Sequence, residues 1–478
     1  MSERIHVDGV WRDAQGGGTI AMRAPDDGSV FAEIARGTAA DVDAAVRAAR
    51  RAFETGWRHT PAVERGRLLA RIGRAIEANA EALAQSEARD CGKPLKQARA
   101  DIVAAARYFE FYAGAADKLH GEVIPYLDGY TVLLKREPRG VTGHIIPWNY
   151  PAQMFGRSLA PALAAGNACV LKPAEEACLT VLRMTELLHE VGLPPGVVNL
   201  VTGYGEEAGA ALAAHPDLDF LSFTGSPEVG VLIQKACAEH HRPCVLELGG
   251  KSPQILFEDA DLDRALPFVT NAVVQNAGQT CSAGSRLLVQ RSLLDRLLPP
   301  LVARFAALVV GPSWADRDCG PLISRTQQER VQGFIARAEA DGIPLIAQAQ
   351  LAPDAPPGGY YVAPRLYGPV PETHPLAREE VFGPVLSLIP FADEADAIRL
   401  ANGTEFGLVA GIWTENGGRQ LRVADAMRCG QVFVNGYGAG AGIELPFGGV
   451  RKSGHGREKG LEALREFTLA KTVVIHHG

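Results

Sequence analysis

The pattern of apolar and polar positions divides the chain into an N-terminal helical part and a longer part in which strands and helices alternate. Residues 5–35 predict short strands and turns, with Asp26-Asp27-Gly28 as turn chemistry. Apolar residues at helical spacing then predict three helices, over residues 38–56, 61–92 and 96–118.

Apolar runs separated by helical segments dominate residues 140–250. The predicted strands are Val141–Ile146, Ala168–Leu171, Val197–Val201, Phe220–Phe223 and Cys244–Leu248. The predicted helices lie near residues 155–165, 177–191, 206–214 and 227–240. This alternation predicts a parallel, doubly wound sheet. A similar alternation around a second core continues to about residue 450, with Pro/Gly-rich loops near 351–359 and 436–442.

Two further segments read as strands outside these sheets. Val123–Tyr126 and Thr131–Leu134 flank turn residues and predict a hairpin. The last segment, Phe467–Ile475, predicts another strand. Because unpaired strand edges need covering, these pieces either join another subunit or pair within their own chain.

Length and composition indicate a large globular protein. A chain of 478 residues predicts two or three domains, and 47% hydrophobic with 22% charged residues is ordinary for globular proteins. The net charge of −7 argues against nucleic acid as a partner. The polar start Met1-Ser2-Glu3-Arg4 does not resemble a signal peptide, and no apolar run has the ~18 residues of a membrane helix.

The eight cysteines form no C-x-x-C pair and no metal-ligand spacing with histidine, so we expect no metal site. They are Cys91, Cys169, Cys178, Cys237, Cys244, Cys281, Cys319 and Cys429. Scattered cysteines in such a chain indicate reduced thiols, and hence a cytoplasmic protein.

Three residues are candidates for covalent catalysis. Cys281 lies among small residues in Asn276–Gly284, so the backbone there can approach a ligand closely. Glu247 ends an apolar run, and Asn149 lies in Ile146-Pro147-Trp148-Asn149-Tyr150. A thiol, a carboxylate base and an amide donor are the groups needed to form and hydrolyse a thioester. A single cysteine, however, is more often a buried small hydrophobe.

Two glycine-containing turns are candidate phosphate sites. The turn Gly203–Gly209 departs from the spacing of the dinucleotide fingerprint. The segment Phe223–Ser226 follows a predicted strand and opens a helix, so its free amides suit a pyrophosphate. Alone, each is also explained as an ordinary turn that binds nothing.

These segments resemble the aldehyde dehydrogenase superfamily, together with Lys172–Glu175, Glu380–Pro384 and Pro446–Gly449. The matches follow the family's order and spacing over most of the chain. The resemblance implies an α/β fold with a Rossmann-like parallel-sheet NAD-binding domain, a second α/β catalytic domain and a small β oligomerisation arm. The corresponding residues are 1–119 and 139–249, 250–450, and 120–138 with 451–478. The arm implies a homodimer or homotetramer.

The resemblance also implies a reaction. Cys281 attacks an aldehyde, Asn149 stabilises the oxyanion, hydride passes to the nicotinamide, and Glu247 activates water to release a carboxylic acid. The implied cofactor contacts are Ile146, Trp148, Lys172, Glu175, Gly205, Phe223, Thr224, Gly225, Ser226, Leu248, Glu380 and Phe382. Lys172 and Glu175 correspond to residues that hold the adenosine ribose. A carboxylate there repels a 2′-phosphate, so NAD is preferred to NADP.

The substrate is less constrained. The resemblance places Tyr150 and Arg157 near the aldehyde, where arginine suits a carboxylate tail or an aromatic ring. Arg157 pointing along a helix into solvent is the alternative. Gln275 stands where succinic-semialdehyde enzymes carry a second arginine, which weakens the hypothesis that the substrate has a carboxylate tail. The Gly/Ala-rich segment 436–443 leaves room for a bulky aldehyde.

Two other functions use parts of the same sequence. A thiol hydrolase could use Cys281 and Glu247 on esters without NAD, but it leaves the cofactor motifs unexplained. A binding or structural protein with this fold would not need all three catalytic groups.

Overall fold

Two mainly parallel sheets, each buried between helices, dominate the structure, a computed structural model that describes residues 3–438 and 442–478. The strands are β1 (Ile5–Val7), β2 (Val10–Arg12), β3 (Thr19–Arg23), β4 (Val30–Ala35), β5 (Glu122–Ile124), β6 (Tyr130–Pro138), β7 (Val141–Ile146), β8 (Ala168–Pro173), β9 (Val198–Leu200), β10 (Phe220–Thr224), β11 (Cys244–Glu247), β12 (Pro253–Leu256), β13 (Arg286–Gln290), β14 (Val309–Val310), β15 (Leu345–Gln348), β16 (Gln350–Leu351), β17 (Arg365–Tyr367), β18 (Val385–Phe391), β19 (Val409–Trp413), β20 (Gln431–Val434), β21 (Gly454–His455) and β22 (Thr468–His476). The α-helices are α1 (Ala39–Thr55), α2 (Ala62–Ala78), α3 (Ala80–Cys91), α4 (Leu95–Ala115), α5 (Pro151–Ala165), α6 (Leu179–Glu190), α7 (Ala210–Ala213), α8 (Pro227–Glu239), α9 (Leu262–Val274), α10 (Leu294–Ala307), α11 (Arg325–Ala340), α12 (Pro375–Arg378), α13 (Glu394–Ala401), α14 (Gly417–Ala426) and α15 (Gly460–Glu466).

The first sheet has the strand order β2-β1-β9-β8-β7-β10-β11-β21. Its five central strands, β9 to β11 in that order, run parallel, and they are the five predicted from the sequence. The order reverses between β7 and β10, which makes the sheet doubly wound. The predicted fold class is confirmed.

Both faces of this sheet are buried, as β8 shows. Cys169 and Leu171 pack into the hydrophobic cluster that includes helices α2 to α6. Ala168 and Val170 pack on the opposite face, in a cluster that includes α1. Because successive side chains of a strand point to opposite faces, a strand covered on both sides is mainly apolar, as Ala168–Leu171 are. Burying each large aliphatic side chain contributes about 1.5–3 kcal/mol.

The second sheet has the order β15-β17-β18-β13-β12-β19-β20, with β15 antiparallel and the other pairs parallel. It has its own hydrophobic cluster, which includes Leu287, Val385 and Ile412. The second α/β core expected after residue 250 is therefore present.

The predicted hairpin and tail strand form a separate three-stranded sheet, β22-β6-β5. β22 pairs with β6 over Thr468–His476 within the same chain. The preceding residues belong elsewhere, since β21 extends the first sheet and Ala463 and Leu464 of α15 pack into the first core. Of residues 451–478, β22 is the part that joins this three-stranded sheet. The domain boundaries and the oligomerisation arm stay a prediction.

The prediction of one helix over residues 61–92 is wrong, because α2 ends at Ala78 and α3 begins at Ala80. At the break, the side-chain amide of Asn79 donates to the carbonyl of Ala75 across 2.8 Å. A polar side chain that binds nearby backbone competes with helix propagation. The helix expected near 206–214 is a π-helical turn, Gly205–Gly209, followed by the short α7.

No helix within residues 3–438 and 442–478 has the length and apolar character that crossing a membrane requires.

Candidate active site

The carboxyl ends of β7 and β10 lie side by side where the strand order of the first sheet reverses. In open parallel sheets, ligands bind in the crevice outside the strand ends at such a point. β7 leads into Asn149, β10 leads into Ser226, and the neighbouring β11 ends at Glu247. The topology therefore brings three of the predicted segments to one crevice.

A cleft of about 1050 Å³ opens at this crevice. Ten predicted site residues line it: Trp148, Asn149, Thr224, Gly225, Ser226, Glu247, Leu248, Cys281, Glu380 and Phe382. They come from loops of both sheets, so the cleft lies between the two cores. The three catalytic candidates, far apart in sequence, share this one surface.

Cys281 follows a loop with unusual backbone geometry. Asn276, Ala277 and Gly278 are left-handed in succession, with φ of 49°, 53° and 74°. Such residues are strained unless their surroundings hold them. The side-chain amide of Asn276 donates to the carbonyl of Asn149 across 2.8 Å, which ties the loop to the other candidate. The loop presents the thiol to the cleft at a fixed place.

The side chain of Asn149 is nearly buried and oriented by the same loop. Its Nδ2 donates to the carbonyl oxygen of Gln279 across 2.9 Å. A primary amide has two N–H donors, so the second is available to a ligand. Asn149 can therefore donate to an oxyanion while it stays anchored.

Glu247 ends β11 with its carboxylate enclosed. Both side-chain oxygens are buried without a hydrogen-bond partner among residues 3–438 and 442–478. Burial raises the pKa of Glu247 to about 8, Arg157 opposes that rise and Glu458 adds to it. The thiol of Cys281 also lies against this carboxylate, without an ordinary hydrogen bond. A carboxylate that titrates near neutral pH is suited to general-base catalysis.

The surroundings of Cys281 favour the protonated form of its thiol. Burial, followed by the charge of Glu247, holds the pKa of Cys281 well above that of a free thiol. A nearby base is therefore needed to favour the thiolate. The adjacent Glu247 is the group placed to receive the proton.

The start of α8 offers a site for a phosphate. Ser226 caps the helix by accepting from the amide of Val229 across 3.3 Å, and Pro227 occupies the first turn. A Cβ at Gly225 would lie 2.5 Å from the ring of Phe223, so only glycine fits there. An open helix N-terminus beside the cleft favours an anionic ligand.

Glu380, which precedes β18 of the second sheet, contacts the segment that follows β11 of the first sheet. Its Oε1 accepts from the amide of Gly250 across 2.9 Å, and burial raises its pKa to about 7. A Cβ at Gly249 would lie 2.0 Å from Glu380 Oε2, so the carboxylate needs glycine beside it. Near it, the rings of Trp148 and Phe382 pack edge to face with centroids 5.4 Å apart.

Five predicted cofactor residues lie outside the described lining of the cleft: Ile146, Lys172, Glu175, Gly205 and Phe223. Lys172, near the end of β8, pairs with Glu175 across 2.7 Å. Gly205 begins the π-helical turn after β9. Ile146, Lys172 and Phe223 lie near the carboxyl ends of β7, β8 and β10, and Glu175 and Gly205 lie in the segments that follow β8 and β9.

The two substrate candidates are both buried. The hydroxyl of Tyr150 lies 2.7 Å from Thr280 Oγ1, one residue before Cys281. Arg157 lies inside α5, with Nε 2.5 Å from Glu458 Oε2 and only 7% of its side chain exposed. The alternative that Arg157 points into solvent is therefore wrong.

The Gly/Ala-rich segment 436–443, which was predicted to leave room for a bulky aldehyde, lies partly outside the described residues, which omit 439–441. Tyr437, which is described, donates a short hydrogen bond to the carbonyl of Ser282, next to Cys281.

Sequence reasoning missed the charged groups beneath the site. Lys93 is completely buried and reaches Glu87, Asp101 and the carbonyl of Asn149. Only its place after Gly92 at the end of α3 marks it in the sequence. The pairing of Arg157 with Glu458, whose carboxylate is as enclosed as the guanidinium, was likewise not predicted from the sequence.

The model of the aldehyde dehydrogenase family matches residues 11–473. Retinal dehydrogenase 2 of Homo sapiens is 40% identical over 477 residues, which are 99% of this chain and 91% of that protein.

Solved structures are similar over their whole length. A proposed aldehyde dehydrogenase from Burkholderia cenocepacia is 60% identical, with a TM-score of 0.99 and coverage of 99% of this chain and 100% of that one. The NAD+ complex of an aldehyde dehydrogenase from Bacillus cereus is 38% identical, with a TM-score of 0.97 and coverage of 100% and 97%.

Proposed function

The chain belongs to the aldehyde dehydrogenase family, and we propose that it oxidises an aldehyde to its carboxylic acid with NAD as hydride acceptor. The observation that carries this proposal is the meeting of Cys281, Glu247 and Asn149 on one cleft beside the switch point of the first sheet. Membership of the family identifies the class of reaction, and the three residues supply the nucleophile, the base and the oxyanion donor that this reaction needs.

The residues of the cleft fit a dinucleotide. The N-terminus of α8 would face the pyrophosphate, and the glycines at 225 and 249 keep the backbone clear for it and for Glu380. Lys172 and Glu175 would hold the adenosine ribose. The carboxylate of Glu175 supports NAD rather than NADP, and the NAD+ complex of the Bacillus cereus relative supports the same cofactor.

Catalysis would begin with proton transfer from the thiol of Cys281 to Glu247. The sulfur then bonds to the aldehyde carbon, and the carbonyl oxygen takes the electron pair as an oxyanion. Asn149 Nδ2 and the backbone amide of Cys281 would donate to that oxygen. One such donor typically stabilises the transition state by ~3–4 kcal/mol.

When bound, NAD supplies the acceptor for the hydride that the aldehyde carbon loses. What remains on Cys281 is a thioester. Glu247, after returning its first proton to solvent, would take a proton from water, whose oxygen attacks the thioester carbon. The C–S bond then breaks, the acid leaves, and the sulfur regains a proton.

We further propose a homodimer or homotetramer assembled through the sheet β22-β6-β5. Its outer strands carry exposed apolar side chains, among them Val123, Val474 and Ile475. Exposed strand edges with apolar residues favour pairing with another chain. Light scattering of a protein ending at Glu466 should give a smaller mass, and an unchanged mass would contradict this assembly.

A cytosolic location is proposed as well, supported by eight cysteines of which none is disulfide-bonded. Fractionation of cells should find the activity with cytosolic markers; recovery in a secreted or membrane fraction would contradict it.

The deciding experiment follows NADH formation with short aliphatic, carboxylate-tailed, ammonium-bearing and aromatic aldehydes. Cys281→Ala should abolish NADH formation while NAD still binds in calorimetry. Cys429→Ala, also a half-buried thiol, is the matched control and should keep full activity. Substantial NADH formation by Cys281→Ala would refute the nucleophile, and ester hydrolysis without NAD would favour the thiol hydrolase.

A further inference from the structure

An ion pair of unusual enclosure lies next to the catalytic carboxylate. Arg157 Nε stands 2.5 Å from Glu458 Oε2, and each side chain is only 7% exposed. The guanidinium carbon lies 4.3 Å from the ring centroid of Phe447, which is itself buried. The cation is thus held by a carboxylate on one side and by an aromatic face on another.

The Arg157–Glu458 pair contacts β10, the strand that lies beside β11, and Glu247 is the last residue of β11. Glu458 Oε1 accepts from the hydroxyl of Thr224 across 3.3 Å. Thr224 is the register partner of Glu247 in the parallel pair β10–β11. Arg157, Glu458 and Thr224 therefore form a chain of contacts that ends beside the base.

Unpaired polar atoms of opposite charge are buried on Arg157 and on Glu247. Arg157 Nη2 is buried without a hydrogen-bond partner in the part of the chain that the structure describes, and the same holds for both oxygens of Glu247. Buried polar groups are normally satisfied by each other or by one ordered water. The charge of Arg157 acts on Glu247 and favours its carboxylate form.

Several charged groups act on Glu247 from different elements. Arg157 on α5 favours its carboxylate form, while Glu458 after β21 and Glu380 before β18 disfavour it. The thiol of Cys281 lies against it from the loop before β13. Lys459, next to Glu458, is buried and packs on Phe447 with Nζ 5.6 Å from the ring centroid. Arg157 is the attractive charge among those that act directly on the base.

We propose that Arg157 is a positioning residue for the base Glu247, fixed by Glu458 as a permanent cation beside it, rather than an anchor for the aldehyde. This inference rests on the proposed function. Arginine is not deprotonated in proteins, so its charge favours the carboxylate form of Glu247 at every working pH.

The same contacts remove Arg157 from substrate recognition. An arginine recognises a carboxylate by pairing and an aromatic ring by stacking. Both interactions are already made within the chain, with Glu458 and with Phe447. A substrate that took over either one would leave a buried carboxylate of Glu458 without its cation.

The test is the pH profile of acyl-enzyme hydrolysis, measured by quenched single turnovers with the best aldehyde. In the acyl-enzyme the sulfur of Cys281 is esterified and does not titrate, so the profile reports Glu247. Arg157→Met should move the rising limb upward by about one pH unit, and Glu458→Gln should move it downward. Arg157→Lys keeps the charge and should leave the limb near its wild-type position, even where the rate falls.

Two exposed variants match the charge changes without touching the site. Arg422→Met and Glu462→Gln each break a surface ion pair and should leave the profile unchanged. A burst of NADH in each variant confirms an assembled site. If Arg157→Met does not fold, Glu458→Gln and Arg157→Lys carry the comparison.

Unshifted limbs in both Arg157→Met and Glu458→Gln would overturn the inference. So would an unshifted Arg157→Met that loses activity selectively on carboxylate-tailed or aromatic aldehydes, because that result would return Arg157 to the substrate. Wild-type protein that forms no NADH with any aldehyde would instead contradict the proposed function, and the inference with it.

Discussion

Lys93 donates a hydrogen bond from Nζ to the backbone carbonyl of Asn149 across 2.9 Å, in a fully buried position. The same ammonium lies 3.1 Å from Glu87 Oε1 and 2.5 Å from Asp101 Oδ2. Glu87 Oε2 in turn accepts from the amide of Ala152 in the first turn of α5. Asn149, the proposed oxyanion donor, is therefore positioned by charges that do not themselves line the cleft.

Replacing Lys93 by Met should destabilise the protein strongly. Although burial opposes its charged form, Asp101 and Glu87 hold the pKa of Lys93 well above its ordinary value. Without that cation, two buried carboxylates remain unpaired, and breaking such a pair costs about 3–5 kcal/mol. Urea unfolding measures the loss. The exposed Lys118→Met is the control, and equal midpoints for both variants would contradict the importance of the cluster.

Glu247→Gln should separate the two halves of the reaction. The amide cannot take a proton from water, so we expect steady-state turnover to fall by about 10²–10⁴-fold. Replacing Glu247 also removes a negative charge that helps to raise the pKa of Cys281. Some thiolate should therefore form at alkaline pH, and one equivalent of NADH per subunit should still appear slowly before turnover stops. Rapid-mixing absorbance at the NADH band measures both phases. Full steady-state turnover in this variant would exclude Glu247 as the base.

Acyl-enzyme hydrolysis in the wild-type protein should rise with pH. The base works as a carboxylate, and burial raises the pKa of Glu247 to about 8. Below that value most of the base is protonated, so the rate should fall about tenfold per pH unit. Above the pKa of Glu247 the rate of hydrolysis should no longer change with pH. The Glu247→Gln protein provides the control, since its residual rate should lack this limb. A flat wild-type profile between pH 6 and 9 would show that another group carries the step.

Much of the first sheet could be predicted from the sequence because its central strands are buried on both faces. In β7 and β8 every residue is buried, and such mainly apolar runs stand out between amphipathic helices, although Thr142, His144 and Lys172 interrupt them. Once the strands are known, the switch point fixes where the crevice lies. The strand order itself was not predicted, and the assignment of Asn149 and Glu247 to one site came from their residue types and from the family resemblance.

The charged partners beneath the site could not be predicted in this way. Arg157 and Glu458 are separated by some three hundred residues in the sequence, and no local pattern relates one to the other. Their meeting depends on how α5 packs against the loop after β21, which is a tertiary fact. The left-handed backbone of Asn276 and Ala277 could not be predicted either, because nothing in their residue types requires a positive φ.

Glu175→Gln should weaken the discrimination against NADP. The carboxylate of Glu175 is 22% exposed and pairs with Lys172 across 2.7 Å, at the expected place of the adenosine ribose. A 2′-phosphate would meet that negative charge, and removing it should raise kcat/KM for NADP by about tenfold, equivalent to ~1.4 kcal/mol. Glu186→Gln, which removes a distant exposed carboxylate, is the control. If the ratio of kcat/KM for NADP to kcat/KM for NAD is unchanged in Glu175→Gln, the 2′-hydroxyl of the adenosine ribose does not bind at Glu175.

Gly249→Ala should impair cofactor binding without unfolding the protein. The new Cβ would lie 2.0 Å from Glu380 Oε2, so the carboxylate must move away from the cleft wall and from the amide of Gly250. A displaced Glu380 would lose its proposed hydrogen bond to the cofactor. Loss of one charge-assisted hydrogen bond costs about 1.5–3 kcal/mol, which corresponds to at least a tenfold rise in the Kd for NAD. Calorimetric titration measures that constant. Gly333→Ala on α11 adds the same methyl group into open space and should leave NAD binding unchanged. Equal affinities for the two variants would show that Glu380 does not hold the cofactor.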